Sequence, residues 1–210
     1  NALLDEMGLA ARNDDGVRLT PDGEPISFVI EVPSKRTDYI DAMEMTAQWW
    51  TDELGLQVTM KAPETSLYFD RLRANEVDCG VDYAGSGMFP LVNPGRMIAI
   101  NNRWTGGSLW GLYYSSDGEQ GEEPPAEITT QVELWQQALI TVNENEQKEL
   151  WNQIMDISAE NCWVMGICDR AAVPVVVSNK FHNVPMDGWN IGWESGNIGT
   201  LNPSQFWKEE

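Results

Sequence analysis

The first half of the chain alternates between short apolar runs and amphipathic segments. Apolar runs at 26–32, 56–60 and 78–83 predict strands. Between them, apolar residues recur every three or four positions over 37–54 and 66–75, a spacing typical of helices with one buried face. The order strand–helix–strand–helix–strand favours a parallel sheet with right-handed crossovers. We therefore predict the α/β class, with a mixed, mainly parallel sheet flanked by helices.

Turn and capping signals predict where several of these elements begin and end. Gly8 suits the end of a short opening helix, and the dipeptides Asp15-Gly16 and Asp22-Gly23 predict two turns of a hairpin-like ribbon. Thr37 is predicted to cap the long helix, which Gly55 ends. These signals define a helix, a ribbon and a strand at the start of the chain.

The second half has a weaker pattern. Over 85–125, glycines, prolines and aromatic residues interrupt any period, which predicts a long functional loop. A helix should follow, burying one face made of Ile128, Val132, Trp135 and Leu139. Asn143 with Glu146 resembles a capping box that starts another helix. Buried strands are predicted at 163–168 and 173–177.

The charge of the chain excludes several partners. Thirteen Lys and Arg stand against 33 Asp and Glu, for a net charge of −20. Nucleic acids and anionic membrane surfaces both require clustered positive charge, so neither is expected as a partner. No run approaches the roughly 20 apolar residues that a membrane-spanning helix needs. The ten tryptophans are numerous for this length and suit both core packing and flat platforms in a ligand cleft.

Enzymatic chemistry has little support in the sequence. A nucleophile pair of Cys162 with His182, or Cys168 with His182, is conceivable. However, both cysteines border a predicted buried strand, which favours buried free thiols. The sequence contains no G-x-S-x-G elbow, P-loop, H-E-x-x-H or G-x-G-x-x-G fingerprint. We predict that the protein is not an enzyme and has no catalytic residues.

A metal site is also not predicted. Residues 13–16 together with Asp22 partly match a calcium-binding loop. Counting back from the glycine, the first ligand position would be Ala11, which cannot coordinate a cation. Cys162, Cys168 and His182 do not have zinc spacing. A turn is the favoured interpretation, and neither metal nor cofactor is expected.

Six motifs occur along the chain in an order that resembles a known family. They are DGVRLTPDGEP, WWTDELGLQV, EVDCGVDYAG, GEQGEEPPAEI, VPVVVSNKFHNVP and NPSQFWKE. Together they resemble the C-terminal lobe of the extracytoplasmic solute-binding proteins of the peptide, dipeptide and oligopeptide family (family 5), which serve ABC importers. The resemblance implies a periplasmic-binding-protein-like II fold, in which two lobes close on a ligand.

The resemblance also implies how the chain is organised. Residues 1–169 would form most of the C-terminal lobe, and 170–210 would return toward an N-terminal lobe outside this chain. The chain would then start in the middle of a longer protein. Aromatic residues of the return segment would pack on this lobe, pair with another copy or stay mobile. The expected location is periplasmic or extracytoplasmic, as a cell-surface lipoprotein if the source is Gram-positive, and the expected partners are ABC permease subunits.

The resemblance places the ligand beside the loop that follows residues 81–83. Peptide binders of the family hold the ligand's α-amino group with an aspartate there, and the matching position in this chain is Ser86. Related branches bind oligosaccharides, for which aromatic residues and hydroxyls are suitable. The candidate ligand-binding residues are therefore Tyr83, Ser86, Trp104 and Trp110. The expected ligand is a short peptide, with an oligosaccharide as the alternative.

Overall fold

The chain folds into two units that interleave along the sequence. The computed structural model describes residues 1–83, 91, 93–167, 176–185 and 203–209. The first unit contains Asn1–Tyr83 and Ile98–Val132, and the second contains Ala84–Met97 and Glu133–Glu210. Among the described residues, no helix is both long and apolar enough to cross a membrane. The predicted boundary near residue 169 stays a prediction.

A three-stranded parallel sheet organises the first unit. Strand β1 (Ser27–Glu31) is central, with β2 (Gln57–Lys61) on one side and β3 (Cys79–Gly80) on the other. Both pairings are parallel, and Glu31 lies opposite Lys61 on one side and Gly80 on the other. The predicted α/β class and parallel sheet are confirmed. Strand β3 is shorter than the predicted run 78–83.

Helix α2 (Thr37–Trp49) covers one face of this sheet and ends in a single π-helical turn over Trp50–Leu54. Its residues Met43 and Ala47 form a core with Ile30 and Val32. Burying these apolar side chains stabilises the unit, since each removes its area from water.

The predicted cap of α2 is wrong. Arg36 occupies the N-cap position, and its carbonyl accepts the hydrogen bond from the Ile40 N–H, so Thr37 is already the first helical residue. The Arg36 side chain does not cap the helix. It is therefore available for other contacts. The other end matches the prediction, because Gly55 ends the helix with a φ of +71°.

Helix α3 (Thr65–Arg73) packs on the opposite face. Tyr68 and Leu72 lie against Gly80, where an added Cβ would stand 2.8 Å from the Tyr68 hydroxyl. Side chains alternate between the two faces of a strand, so Gly80 and its partner Glu31 share this face. The sheet therefore lies between two helices, as crossover connections in opposite directions require.

The opening helix and ribbon are confirmed. Helix α1 (Ala2–Glu6) precedes two antiparallel bridges, Arg12 with Arg18 and Leu19 with Pro25. Gly16 and Gly23 adopt φ values of +82° and +87°, the left-handed conformation that these turns need. Strand β1 follows the ribbon directly in sequence.

Arg18 joins the ribbon to the helices on either side of it. Its side chain is 2% exposed. The guanidinium donates to Asp5 Oδ1 at 2.6 Å, to Asn1 Oδ1 at 2.8 Å and to the Leu54 carbonyl at 2.9 Å. It also donates to the Leu9 carbonyl. Every one of these acceptors belongs to a segment that lies before or after the ribbon in sequence.

The predicted loop over 85–125 is wrong in part, because residues Ser108–Ser115 form helix α4. An added Cβ at Gly111 would stand 2.0 Å from the Asn101 carbonyl oxygen, so the helix approaches the preceding backbone closely. Glycine and mixed aromatic residues hide the helical period in the sequence. Residues 84–90 and 92 lie outside the described residues.

Two longer helices follow, α5 (Ala126–Ile140) and α6 (Glu144–Asn161). On α5 the predicted residues Ile128 and Val132 are buried, but Leu139 is 49% exposed and Ala138 is buried instead. The predicted cap of α6 is confirmed, because the Asn143 side chain accepts from the N–H groups of Asn145 and Glu146.

Neither late strand is present in the described part of its predicted range. Residues 163–167 contain no strand, and Met165 and Ile167 are 67% and 70% exposed. Of the second run, only 176–177 are described; they are not in a strand, and Val176 is 97% exposed. The strands that the structure does show here are β4 (Phe181–His182) and β5 (Trp207–Lys208), which pair antiparallel.

Candidate ligand site at the carboxyl edge of the sheet

The carboxyl ends of the three strands meet at one edge of the sheet. In sequence, the chain passes from central β1 to β2 on one side and then crosses to β3 on the other. Such a reversal creates a crevice outside the carboxyl ends of neighbouring strands, where α/β proteins commonly bind ligands. Residues that follow β1 and β3 are therefore the first candidates for a binding site.

A buried carboxylate lies at this edge. Asp82 follows β3 by two residues, and its side chain is 1% exposed. It forms an ion pair with the Arg36 guanidinium, whose Nη2 lies 4.0 Å from Asp82 Oδ1. Removing a carboxylate from water costs several kcal/mol unless other groups compensate its charge. The ion pair with Arg36 supplies part of that compensation.

The Arg36 guanidinium also contacts two aromatic rings. Its Cζ lies 5.6 Å from the ring centroid of Tyr39 and 5.3 Å from that of Tyr83. Both distances are within the range of cation–π attraction. We call Arg36, Tyr39, Asp82 and Tyr83 the edge cluster. It combines one buried acid, one accessible cation and two aromatic rings.

A second ion pair lies on the α3 face. Arg71 donates to both carboxylate oxygens of Glu31, with Nη2 at 2.8 Å from Oε1 and Nε at 3.2 Å from Oε2. The hydrogen bond to Glu31, followed by its charge, raises the pKa of Arg71. Glu31 is 5% exposed and Arg71 is also paired with Glu76. The two-pronged geometry fixes α3 to β1, and the adjoining hollow of about 420 Å³ is lined in part by this pair.

The structure gives the predicted binding residues different contacts. Tyr83 is 38% exposed and belongs to the edge cluster. Trp104 and Trp110 lie together, with ring centroids 6.1 Å apart and planes inclined at 37°. Trp104 is 1% exposed, so its ring is covered by protein. Ser86 lies outside the described residues.

Sequence reasoning missed three members of the edge cluster, Arg36, Tyr39 and Asp82. The available signal for Asp82 was an acidic residue at the end of an apolar strand. The available signal for Arg36 was a basic residue at the start of a helix. A cation is electrostatically disfavoured there, so its presence indicates a stabilising contact elsewhere.

The cysteine and histidine candidates have other partners. Cys162 is exposed, contrary to the prediction, because it is the C-cap of α6 with a left-handed φ of +52°. Its thiol lies 3.2 Å from the Ala159 carbonyl of the same helix. His182 stacks on Trp207 with centroids 4.1 Å apart and lies 3.6 Å from Glu209. Cys168 lies outside the described residues.

The two described cysteines should differ in reactivity. Burial and then the charge of Asp78 raise the pKa of Cys79, while Cys162 is open to solvent. Because the thiolate is the reactive form, a maleimide should label Cys162 at least about tenfold faster than Cys79 in the native protein. Mass spectrometry of protein carrying Cys168→Ser would resolve the two sites. Equal rates would show that Cys79 is accessible.

The turn at Asn13 is stabilised by the Asn13 side chain. The Asn13 carboxamide oxygen accepts from the N–H groups of Asp15 and Val17. This is the Asx-type contact that stabilises a turn, as the sequence favoured. Within the described ranges, no three His, Cys, Asp or Glu side chains are grouped so that they could hold a metal ion.

Comparison with solved structures finds clear relatives. An oligopeptide-binding protein, OppA, is 28% identical and superposes with a TM-score of 0.73 over 100% of this chain and 35% of its own. Neither protein-family models nor curated protein sequences gave a match.

Two more distant structures share the fold. NikA from Brucella suis, in complex with Fe(III)-EDTA, is 18% identical, with a TM-score of 0.55 over 76% of this chain and 29% of its own. A periplasmic oligopeptide-binding protein from Thermotoga maritima with bound mannohexaose is 22% identical, with a TM-score of 0.56 over 77% of this chain and 28% of its own.

The chain therefore spans only about a third of the length of the proteins it matches. Its neighbours are solute-binding proteins of ABC importers, and the predicted periplasmic-binding-protein-like α/β fold is confirmed. Over its whole length, the chain is similar to a part of OppA, an oligopeptide-binding protein.

Proposed function

We propose that this chain is a ligand-binding lobe of the substrate-binding component of an ABC importer that captures short peptides. The observation that carries the proposal is the similarity to OppA, which extends over the whole chain at 28% identity. The capture would take place in the periplasm or elsewhere outside the cytoplasm, and the loaded protein would deliver its ligand to permease subunits.

The edge cluster supports a peptide as the ligand. A peptide carries a protonated α-amino group, and a buried carboxylate is the natural partner for an ammonium ion. Asp82 supplies such a carboxylate at the carboxyl edge of the sheet, where ligands commonly bind in α/β proteins. We infer that Asp82, four residues before Ser86, holds the ligand's amino group, with Tyr83 beside it.

An oligosaccharide is the second candidate. The Thermotoga maritima protein has mannohexaose bound, and MelB from Agrobacterium fabrum, 18% identical with a TM-score of 0.59, has stachyose bound. Tyr39 and Tyr83 could stack on sugar rings, and Ser86, Trp104 and Trp110 remain candidates for ligand contact. A buried carboxylate gains more from a cationic ligand than from a neutral one, so peptides are preferred.

An enzymatic role is not proposed. The structural neighbours are binding proteins. The Cys162 thiol faces a carbonyl of its own helix, and His182 faces Trp207 and Glu209. This arrangement does not favour a Cys–His hydrolase.

The division of the chain is part of the proposal. Residues 1–169 would belong to the C-terminal lobe, and 170–210 would lead toward the other lobe. A two-lobed protein binds its ligand between both lobes. Residues 1–210 alone should therefore bind peptides much more weakly than the complete gene product, by which we mean the protein with both lobes.

A thermal-shift panel tests the ligand class. The complete gene product would be melted with free tripeptides, with the same tripeptides N-acetylated, and with mannose and galactose oligosaccharides. Free tripeptides at about 100 times Kd should stabilise the native state by about 2.7 kcal/mol and raise Tm by a few degrees. A shift with oligosaccharides alone would identify the protein as a sugar binder. No shift with any ligand in the panel would oppose the capture function.

A further inference from the structure

Arg36 and Asp82 form a long, uneven ion pair. At 4.0 Å, Nη2 and Oδ1 attract each other electrostatically but are too far apart for a hydrogen bond. The Arg36 side chain is 43% exposed, whereas that of Asp82 is 1% exposed. The Arg36 side chain can therefore move into solvent while Asp82 stays at the sheet edge.

The Arg36 guanidinium contacts two aromatic rings and lies near the Asp82 carboxylate without a hydrogen bond to it. The rings are those of Tyr39 and Tyr83. The backbone of Arg36 is fixed as the N-cap of α2, while its side chain takes no part in capping. The guanidinium therefore makes no capping hydrogen bond to α2. It compensates the charge of Asp82 from a distance that is too long for a hydrogen bond.

We propose that Arg36 is an internal counter-ion that competes with the ligand's amino group for Asp82. This inference rests on the proposed function. In the empty protein, the guanidinium offsets the buried negative charge. A ligand ammonium at normal hydrogen-bond distance makes a stronger pair with Asp82, and Arg36 then swings outward along the tyrosine rings. This competition lowers the apparent affinity of the protein for its ligand, because only the molecules in which Arg36 has moved away from Asp82 can bind the amino group.

The competition also selects among ligands. Arg36 stays near the site after displacement, so a second positive charge close to the ligand's amino group would be repelled. A ligand whose first residue is neutral or acidic would avoid this repulsion. The preferred substrate class is therefore a peptide with a free amino terminus and no basic side chain on its first residue.

Calorimetry of the complete gene product tests this inference with three variants. Arg36→Gln removes the competing charge and should bind Ala-Ala-Ala about three- to tenfold more tightly, because an accessible charge at this distance is partly screened. Arg36→Lys keeps the charge and should change affinity less than Arg36→Gln. Lys35→Gln removes the same charge from the adjacent, exposed position and should leave affinity within about twofold.

A second ligand separates the counter-ion role from a direct ligand contact. Lys-Ala-Ala should gain more from Arg36→Gln than Ala-Ala-Ala does, and N-acetyl-Ala-Ala-Ala should gain nothing. Weaker binding of every peptide to Arg36→Gln, at unchanged Tm, would show that Arg36 holds the ligand and would overturn the inference. Unchanged affinity would overturn it as well. If the wild-type protein binds oligosaccharides but no peptide, both the inference and the peptide assignment fail.

Discussion

Replacing Arg18 with methionine is expected to lower the free energy of unfolding by about 3 kcal/mol, because hydrogen bonds from a buried charged group are among the costlier ones to lose. Its side chain is 2% exposed and donates to Asp5, Asn1 and the carbonyls of Leu9 and Leu54. Methionine retains part of the volume but removes all of these hydrogen-bond donors from a part-buried site. Urea denaturation of the 210-residue chain would measure the loss.

Arg12 provides a matched control for this experiment. Its guanidinium also donates to Asn1 Oδ1 and the Leu54 carbonyl, both at 3.2 Å, but the residue is exposed. Water can replace those contacts, so Arg12→Met should cost less than about 1 kcal/mol. Equal losses for the two variants would show that burial of Arg18 does not determine its effect.

Replacing Asp82 with asparagine is expected to weaken the binding of free tripeptides to the complete gene product by about 100-fold. Asparagine keeps the shape but removes the negative charge that we assign to the ligand's amino group, and charge-assisted hydrogen bonds are about twice as strong as neutral ones. Truncating one side of a buried charge pair commonly costs 2–5 kcal/mol, and 100-fold corresponds to about 2.7 kcal/mol. Calorimetry would measure the affinity.

Asp78 offers the control for this variant. It lies just before β3, at the opposite end of the strand, where its Oδ2 accepts from the Val29 N–H at 3.1 Å. Asparagine retains that acceptor, so Asp78→Asn should leave peptide affinity within about twofold. Full affinity in Asp82→Asn would mean that the amino group binds elsewhere.

The parallel sheet was predictable because its signals are local and agree with one another. Pro33 bounds the first strand, Gly55 ends the following helix, and the two amphipathic helices have clear apolar stripes. Each signal depends on residues within a few positions of it. The fold of this segment then follows from the handedness of crossover connections.

The predictions for residues beyond 84 failed where the local sequence does not determine which other segments pack against it. Helix α4 contains glycine and several aromatic residues, so its period is hidden, and Gly111 serves a close backbone approach to Asn101 instead. The apolar pattern predicts a buried strand over 163–168, but the described residues 163–167 contain no strand. An apolar run alone does not distinguish a strand from an exposed connection.

The candidate site was only partly predictable for a related reason. Tyr83 was identified through the strand that precedes it, but Arg36 is 46 positions away from Asp82 in sequence and reaches it only through the fold. Matching the family's aspartate to Ser86 depended on counting along the residues that follow β3. The buried carboxylate of Asp82 becomes evident only when its exposure is known.

The measurement that tests the central claim most directly is a calorimetric titration of the complete gene product with one tripeptide in free and N-acetylated form. If this chain is the peptide-binding lobe and Asp82 holds the amino group, the free tripeptide should bind with micromolar or tighter affinity. The acetylated form should bind at least about 100-fold more weakly, since it lacks the cationic group. Equal affinities, or binding of oligosaccharides in place of both peptides, would contradict the claim.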